Sequence, residues 1–276
     1  MLEVSARDLL DDLAKLQSTL RISMPGGNMR HLLMMTAIAV LLTANASAAE
    51  GKQVTYKSGD ETVSGMLYAP SGNGPYPAIV AIHEWWGLND WVKEQASKLA
   101  DQGYVTLAVD LYRGKVAQTP DEAHELMRGV PDDRAKRDLL AAFDYLAGQN
   151  NVRKERIGSI GWCMGGGYSL GLALSQPKLA AAVINYGHLA TEQSEIANIK
   201  APLLLIFGGQ DRGIPADSVK QFEQQLKSMG KQVELHIYPD AGHAFENPNN
   251  KTGYREADSK DAWQKTVDFL GRTLKH

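Results

Sequence analysis

Five short apolar runs dominate this chain: AIVAIH (78–83), YVTLAV (104–109), RIGSIG (156–161), AAVINY (181–186) and LLLIF (203–207). Each is apolar almost throughout, the pattern of a strand buried on both faces, and such strands belong to parallel sheets covered by helices. Val63–Ala69 and Val233–Tyr238 add further strands. Between them, helical spacing predicts helices over Asp90–Gln102, Asp132–Leu146, Met164–Leu174, Val219–Met229 and Asp258–Leu270. Trp91, Ala96 and Leu99 give the first helix its apolar face, and Gly103 ends it. Strands alternating with helices predict an α/β fold: one domain, with a mostly parallel central sheet and helices on both faces. Residues 111–130 read as a polar, irregular segment able to cover a pocket.

Composition narrows the partners. Hydrophobic residues make up 43% and charged residues 22%, values of a soluble globular protein. The net charge of −3 leaves no cationic surplus for neutralising phosphates, so nucleic acid is not an expected partner. The expectation is a monomer acting on a small molecule.

The N-terminal region reads differently. Residues 29–49, MRHLLMMTAIAVLLTANASAA, combine a short basic start at Arg30 and His31 with an apolar stretch from Leu32 to Leu42. Ala46-Ser47-Ala48 follows as an A-x-A cleavage site. The apolar stretch is too short to span a bilayer comfortably. It is read as a cleaved signal peptide, with the mature domain over 50–276, no membrane span after cleavage, and export, for a bacterium, to the periplasm. Residues 1–28 would then be a non-native or mis-assigned extension, with Met29 as the natural start. Export gives the single cysteine, Cys163, a particular meaning: it has no intrachain disulfide partner in an oxidising compartment.

In open α/β sheets ligands bind beyond the carboxyl ends of the strands. There the chain places His83-Glu84-Trp85-Trp86, Asp110-Leu111-Tyr112-Arg113, Trp162-Cys163-Met164, Gln210-Asp211 and Asp240-Ala241-Gly242-His243. Gly161-Trp162-Cys163-Met164-Gly165 fits G-x-Nu-x-G, the sharp strand-to-helix turn that lifts a nucleophile above the sheet. At a helix N-terminus the free N–H groups favour an anion, which promotes a thiolate. The other reading of Cys163 is a small apolar side chain in a glycine-rich packing turn. Asp211 in FGGQDRGIP and His243 in PDAGHAF follow the next strands. The order Cys163, Asp211, His243 is that of α/β-hydrolases. Asp211 can also be a turn residue, and Asp240 is a second candidate for the acid. Backbone N–H groups of Met164 and Trp85 are the expected oxyanion donors. No metal or cofactor is expected: HEWWG lacks the second histidine of H-E-x-x-H, and the glycines of GSIGWCMGGG do not fall as G-x-G-x-x-G.

Taken together, HEWWGLN, DLYRG, GWCMGGG, GGQDRGIP and AGHAF, in that order, resemble the dienelactone hydrolases, or carboxymethylenebutenolidases, over nearly the whole mature chain. The resemblance implies that Cys163 attacks a lactone or ester carbonyl and forms an acyl-enzyme, with His243 oriented by Asp211. It also implies that Glu84 keeps the resting thiol neutral and takes its proton when substrate binds. In the family, arginines bind the substrate carboxylate. Here Arg113 stands near the first such position, displaced by one residue, and uncharged Asn247 stands at the second, so a broader ester or lactone hydrolase is expected. Trp86, Tyr112 and Tyr186 are expected to line the pocket with Arg113. A thioesterase or acyltransferase on the same scaffold, and a secreted non-catalytic binding protein, are the competing readings.

The leader reading makes a direct prediction. N-terminal sequencing of the exported protein should begin at Ala49 or Glu50, and a mature start upstream of Met29 would overturn it.

Overall fold

A computed structural model describes residues 49–190 and 192–276. The expected leader, apart from its last residue, and the extension before it lie outside the described residues. Eight strands form one sheet: β1 Lys52–Ser58, β2 Glu61–Tyr68, β3 Tyr76–Ile82, β4 Val105–Val109, β5 Val152–Trp162, β6 Ala181–Asn185, β7 Leu203–Gly208 and β8 Val233–Tyr238. Their order is β1-β2-β4-β3-β5-β6-β7-β8. Only the β1–β2 and β2–β4 pairs are antiparallel; the five pairs from β4–β3 to β7–β8 are parallel. Every residue of β4, β6 and β7 is buried, so both faces of the central sheet are covered, as the uninterrupted apolar runs require.

The covering helices are α1 Asp90–Asp101, α2 Pro120–Arg128, α3 Asp132–Ala147, α4 Met164–Ser175, α5 Gln193–Ile196, α6 Ala216–Ser228 and α7 Glu256–Leu274. Asn89 caps α1 by accepting from the Val92 N–H at 3.2 Å. Three elements differ from the sequence reading. The segment 111–130 contains α2, started by a Thr119 cap and Pro120 in its first turn. β5 begins four residues earlier than RIGSIG, because its charged opening lies at the exposed end of the strand. β1, KQVTYKS, is an edge strand that buries only Tyr56 and Ser58.

The parallel register aligns the carboxyl ends of the central strands. Ile82 pairs with Gly161, Gly161 with Ile184 and Gly208 with Tyr238. Chains leaving β3, β5, β7 and β8 therefore emerge on one edge of the sheet.

A buried carboxylate ties the antiparallel end to this frame. Asp138 on α3 is 2% exposed and accepts from Ser58 Oγ at 2.5 Å and from the Arg113 guanidinium at 2.7 Å. The same guanidinium also reaches Glu61 at 2.7 Å. Removing Asp138 leaves Arg113 with the Glu61 carboxylate alone and the buried Ser58 hydroxyl without its acceptor. Asp138→Ala should therefore cost about 2 kcal/mol of stability, read as a lowered urea midpoint; an unchanged midpoint would show that the cluster contributes nothing.

Candidate active site

The site begins at the junction of β5 and α4. Cys163 adopts φ 54° and ψ −119°, a strained backbone for a residue with a Cβ. Its neighbours make the turn possible: a Cβ on Gly161 would lie 1.9 Å from the Gly165 carbonyl oxygen. A Cβ on Gly165 would lie 2.3 Å from that of Ile82. The two glycines let α4 start almost in contact with β3 and β5, which leaves the Cys163 side chain half-buried above the sheet.

The residues named from strand ends meet there. His243 Nε2 lies 3.1 Å from Cys163 Sγ, and His243 Nδ1 lies 2.7 Å from Asp211 Oδ2. The other Asp211 oxygen accepts from the backbone N–H groups of Gly213 at 2.9 Å and Ile214 at 3.1 Å. Burial by itself would raise this carboxyl, but the hydrogen bonds and charge of His243 and the two N–H donors outweigh it, and the net shift is downward. Burial likewise disfavours the imidazolium of His243, yet Asp211 on one side and Cys163 on the other push its pKa up to about 10. Asp240, the rival acid, is largely solvent-exposed and faces Arg255 instead. Asn250 holds the histidine loop by donating to the carbonyls of His243 at 3.1 Å and Ala244 at 3.2 Å.

Among the described residues, neither the Trp85 nor the Met164 N–H donates to a protein acceptor. Both are thus free to point at a developing oxyanion. Tyr112 donates to the Trp85 carbonyl at 3.0 Å and touches Met164 Sδ at 3.3 Å, bracing both donors from behind. His83, fully buried, acts as a strut: Nδ1 contacts the Glu84 carbonyl at 2.5 Å, and Nε2 accepts from the Leu111 N–H at 3.3 Å.

Glu84 is 1% exposed. One oxygen accepts from Asn247 Nδ2 at 2.6 Å; the other, Oε1, has no partner among the described residues. Burial raises its pKa to about 7 against the opposing pull of Asn247 and His243. Glu246, which the sequence reading did not single out, is a second acid of this kind. It receives the Trp162 indole N–H at 3.4 Å and leaves Oε1 unpartnered. Burial, and then the nearby Glu84, raise it to about 8.

A cavity of about 1950 Å³ opens over these groups, with Glu84, Trp85, Trp86, Cys163, Met164 and His243 in its wall. Three expected pocket residues are not in that wall. Arg113 turns away at φ 57° and commits its guanidinium to Glu61 and Asp138. Tyr112 lies behind the Trp85 turn. Tyr186 is fully buried, with its ring edge-on to His243 at 5.3 Å and to Phe245 at 5.7 Å. The last two support the site rather than line it. Among the described residues no group of three or more His, Cys, Asp or Glu could hold a metal ion, and no helix is long and apolar enough to cross a membrane.

Known proteins resemble this chain over most of its length. The model of the dienelactone hydrolase family matches residues 63–274. The chain is 30% identical to the "Putative carboxymethylenebutenolidase" of Salmonella typhimurium, over 86% of this chain and 92% of that protein. It is 31% identical to "Protein usf" of Aquifex pyrophilus, over 81% of this chain and 99% of its relative. A crystal structure from Klebsiella pneumoniae subsp. pneumoniae, named "Putative Dienelactone Hydrolase", superposes with a TM-score of 0.74 at 27% identity, covering 82% of this chain and 99% of that one.

The two buried acids predict a pH dependence of stability. The unfolded chain releases their protons near the ordinary value of 4.5, the folded chain only near 7 and 8. Between those limits the folded state binds more protons, so stability falls as pH rises. His243 adds a fall of the same sign above its ordinary 6.5, so a difference between variants is needed to isolate Glu246. Glu246→Gln should flatten the fall and exceed the parent by about 4 kcal/mol near pH 9, with little gain near pH 4.5. Urea midpoints across that range test it, and parallel curves would overturn it.

Proposed function

The chain belongs to the dienelactone hydrolase family, and on that premise we propose that it hydrolyses a lactone or carboxylic ester through a cysteine acyl-enzyme. One observation carries the reading: the unbroken line from Asp211 through His243 to Cys163, with contacts of 2.7 and 3.1 Å, beside two unengaged backbone N–H donors. An unperturbed thiol is mostly protonated at neutral pH, and a base beside it supplies the thiolate.

In this mechanism the Cys163 thiolate attacks the ester carbonyl carbon, and the carbonyl π electrons move onto oxygen. The Met164 and Trp85 N–H groups receive that oxyanion. Collapse breaks the bond to the alkoxy oxygen, which takes a proton from the His243 imidazolium and leaves as the alcohol. In a lactone it remains attached as the hydroxyl of the acyl group. His243, now neutral, takes a proton from water as the water attacks the thioester. The second tetrahedral species collapses to the carboxylic acid and restores the thiolate–imidazolium pair. Asp211 holds the ring in the tautomer that presents Nε2 to sulfur. Glu84 lines the same cavity and is the group that would take the thiol proton in the scheme the family resemblance implies. In the resting geometry His243, not Glu84, is the hydrogen-bond partner of the sulfur.

Arg113 is occupied by two carboxylates, and Asn247 is bound to Glu84, so neither position offers a free cation to an anionic lactone. Export to the periplasm is part of the same proposal, supported by the signal-like sequence of residues 29–49.

Cys163→Ala and His243→Ala should each lower kcat/KM on a small activated ester by about 10³-fold or more while leaving the circular dichroism spectrum unchanged. Mass spectrometry of a rapidly quenched reaction should find the acyl group on Cys163. Normal turnover by Cys163→Ala would refute the mechanism.

A further inference from the structure

Helix α4, which Cys163 opens, carries no charged residue anywhere in MGGGYSLGLALS. Its half-exposed members are Met164, Gly167, Tyr168, Gly171, Leu174 and Ser175. At about 100° per residue these six, with Cys163, occupy one arc about 140° wide. The buried Gly165, Gly166, Ser169, Leu170, Leu172 and Ala173 fill the remainder. A helix face open to water ordinarily carries charged or polar side chains. This one carries methionine, tyrosine, leucine, two glycines and one serine; Met164, Tyr168 and Leu174 also pack against the core, and the whole stripe lies in the wall of the cavity that contains Cys163. Leu189 and Ala190 contribute further apolar surface to that wall. From Cys163 to Ser175 the stripe runs about 18 Å at 1.5 Å per residue.

Gly171 sharpens the point. A glycine inside a helix is destabilising relative to alanine. Elsewhere in the turn glycines are required by close backbone contact, but a Cβ on Gly171 would meet nothing within 4 Å. No protein neighbour accounts for it; what it provides is open space in the cavity.

We propose that this face of α4 holds the unbranched alkyl chain of a fatty ester whose carbonyl sits at Cys163. The inference rests on the hydrolase reading above and names its substrate class. Stripe and nucleophile belong to one helix, so a chain attached to the reacting carbonyl can follow an uncharged helix face, with charged side chains such as Asp132 and Lys136 elsewhere in the cavity wall.

The test is a chain-length series with the purified protein at concentrations below micelle formation: 4-nitrophenyl esters from acetate to laurate, and acetate esters of alcohols from ethanol to dodecanol. A buried methylene contributes enough to raise kcat/KM about fourfold, so at least about a tenfold rise from the shortest to the octyl member is expected in one series. The series that rises tells whether the chain comes from the acyl or the alcohol side. Gly171→Leu fills the middle of the stripe with a better helix former. It should lower the long-to-short ratio of kcat/KM at least tenfold with unchanged circular dichroism. Two flat series, or a Gly171→Leu ratio within twofold of the parent's, would overturn the inference. If the hydrolase reading fails instead, no ester in either series is turned over, or Cys163→Ala turns them over as well as the parent does.

Discussion

The backbone at Cys163 is the constraint on which the rest of the site depends. A residue with a Cβ is held at φ 54° where the chain leaves β5 and enters α4. The energy of that strain has to come from the surrounding frame. It comes from close packing: α4 starts so near β3 and β5 that Gly161 and Gly165 have no room for a side chain. The frame is itself rigid, because the strands it joins are buried on both faces and hydrogen-bonded in parallel register. The turn puts the sulfur within reach of His243, whose loop leaves the far end of the sheet after β8. No local interaction between Cys163 and His243, eighty residues apart, could do the same.

Three buried carboxyl groups then lie in and beside the site, and their environments push them apart. Asp211 receives two backbone N–H donors as well as the ring, so its charged form is favoured despite burial. Glu84 has one amide donor and Glu246 one long indole contact, and each leaves an oxygen unpartnered. Burial dominates for both and favours the neutral acid. Negative charge therefore collects at Asp211, opposite Nδ1, where it orients the ring. Burial keeps the two glutamates protonated to higher pH than an ordinary carboxyl. Acidic groups of one kind, placed in different hydrogen-bond surroundings, thus divide into one anion and two acids that favour the neutral form.

Much of this was legible in the sequence for a physical reason. Strands buried on both faces must be apolar at every position, so β3, β4, β6 and β7 announce themselves. Residues just past such strands lie on the ligand-binding edge, which singles out Cys163, Asp211 and His243 without knowledge of their contacts. The edge strand β1 escapes because it buries only two side chains and its composition is polar. Arg113 misleads for a different reason. It follows a strand as a pocket residue should, but its direction is set by Asp138, on a helix whose packing no local pattern reveals. Glu246 and His83 escape because a buried ionisable group looks like a surface one until the fold encloses it.

The position of the nucleophile on α4 also links reactivity to recognition. An elbow cysteine sits at the N-terminus of its helix, where free N–H groups favour the thiolate and one of them serves the oxyanion. That much fixes only the first turn. The remaining turns are free to vary, and here they present an uncharged stripe to the cavity while the opposite side packs against the sheet. A charged residue at Gly171 would meet no protein atom near its Cβ, whereas Gly167 lies against His188 and Leu174 packs on the core. The missing side chain at Gly171 is therefore unexplained by folding. It is explained by an apolar ligand that starts where the chemistry starts.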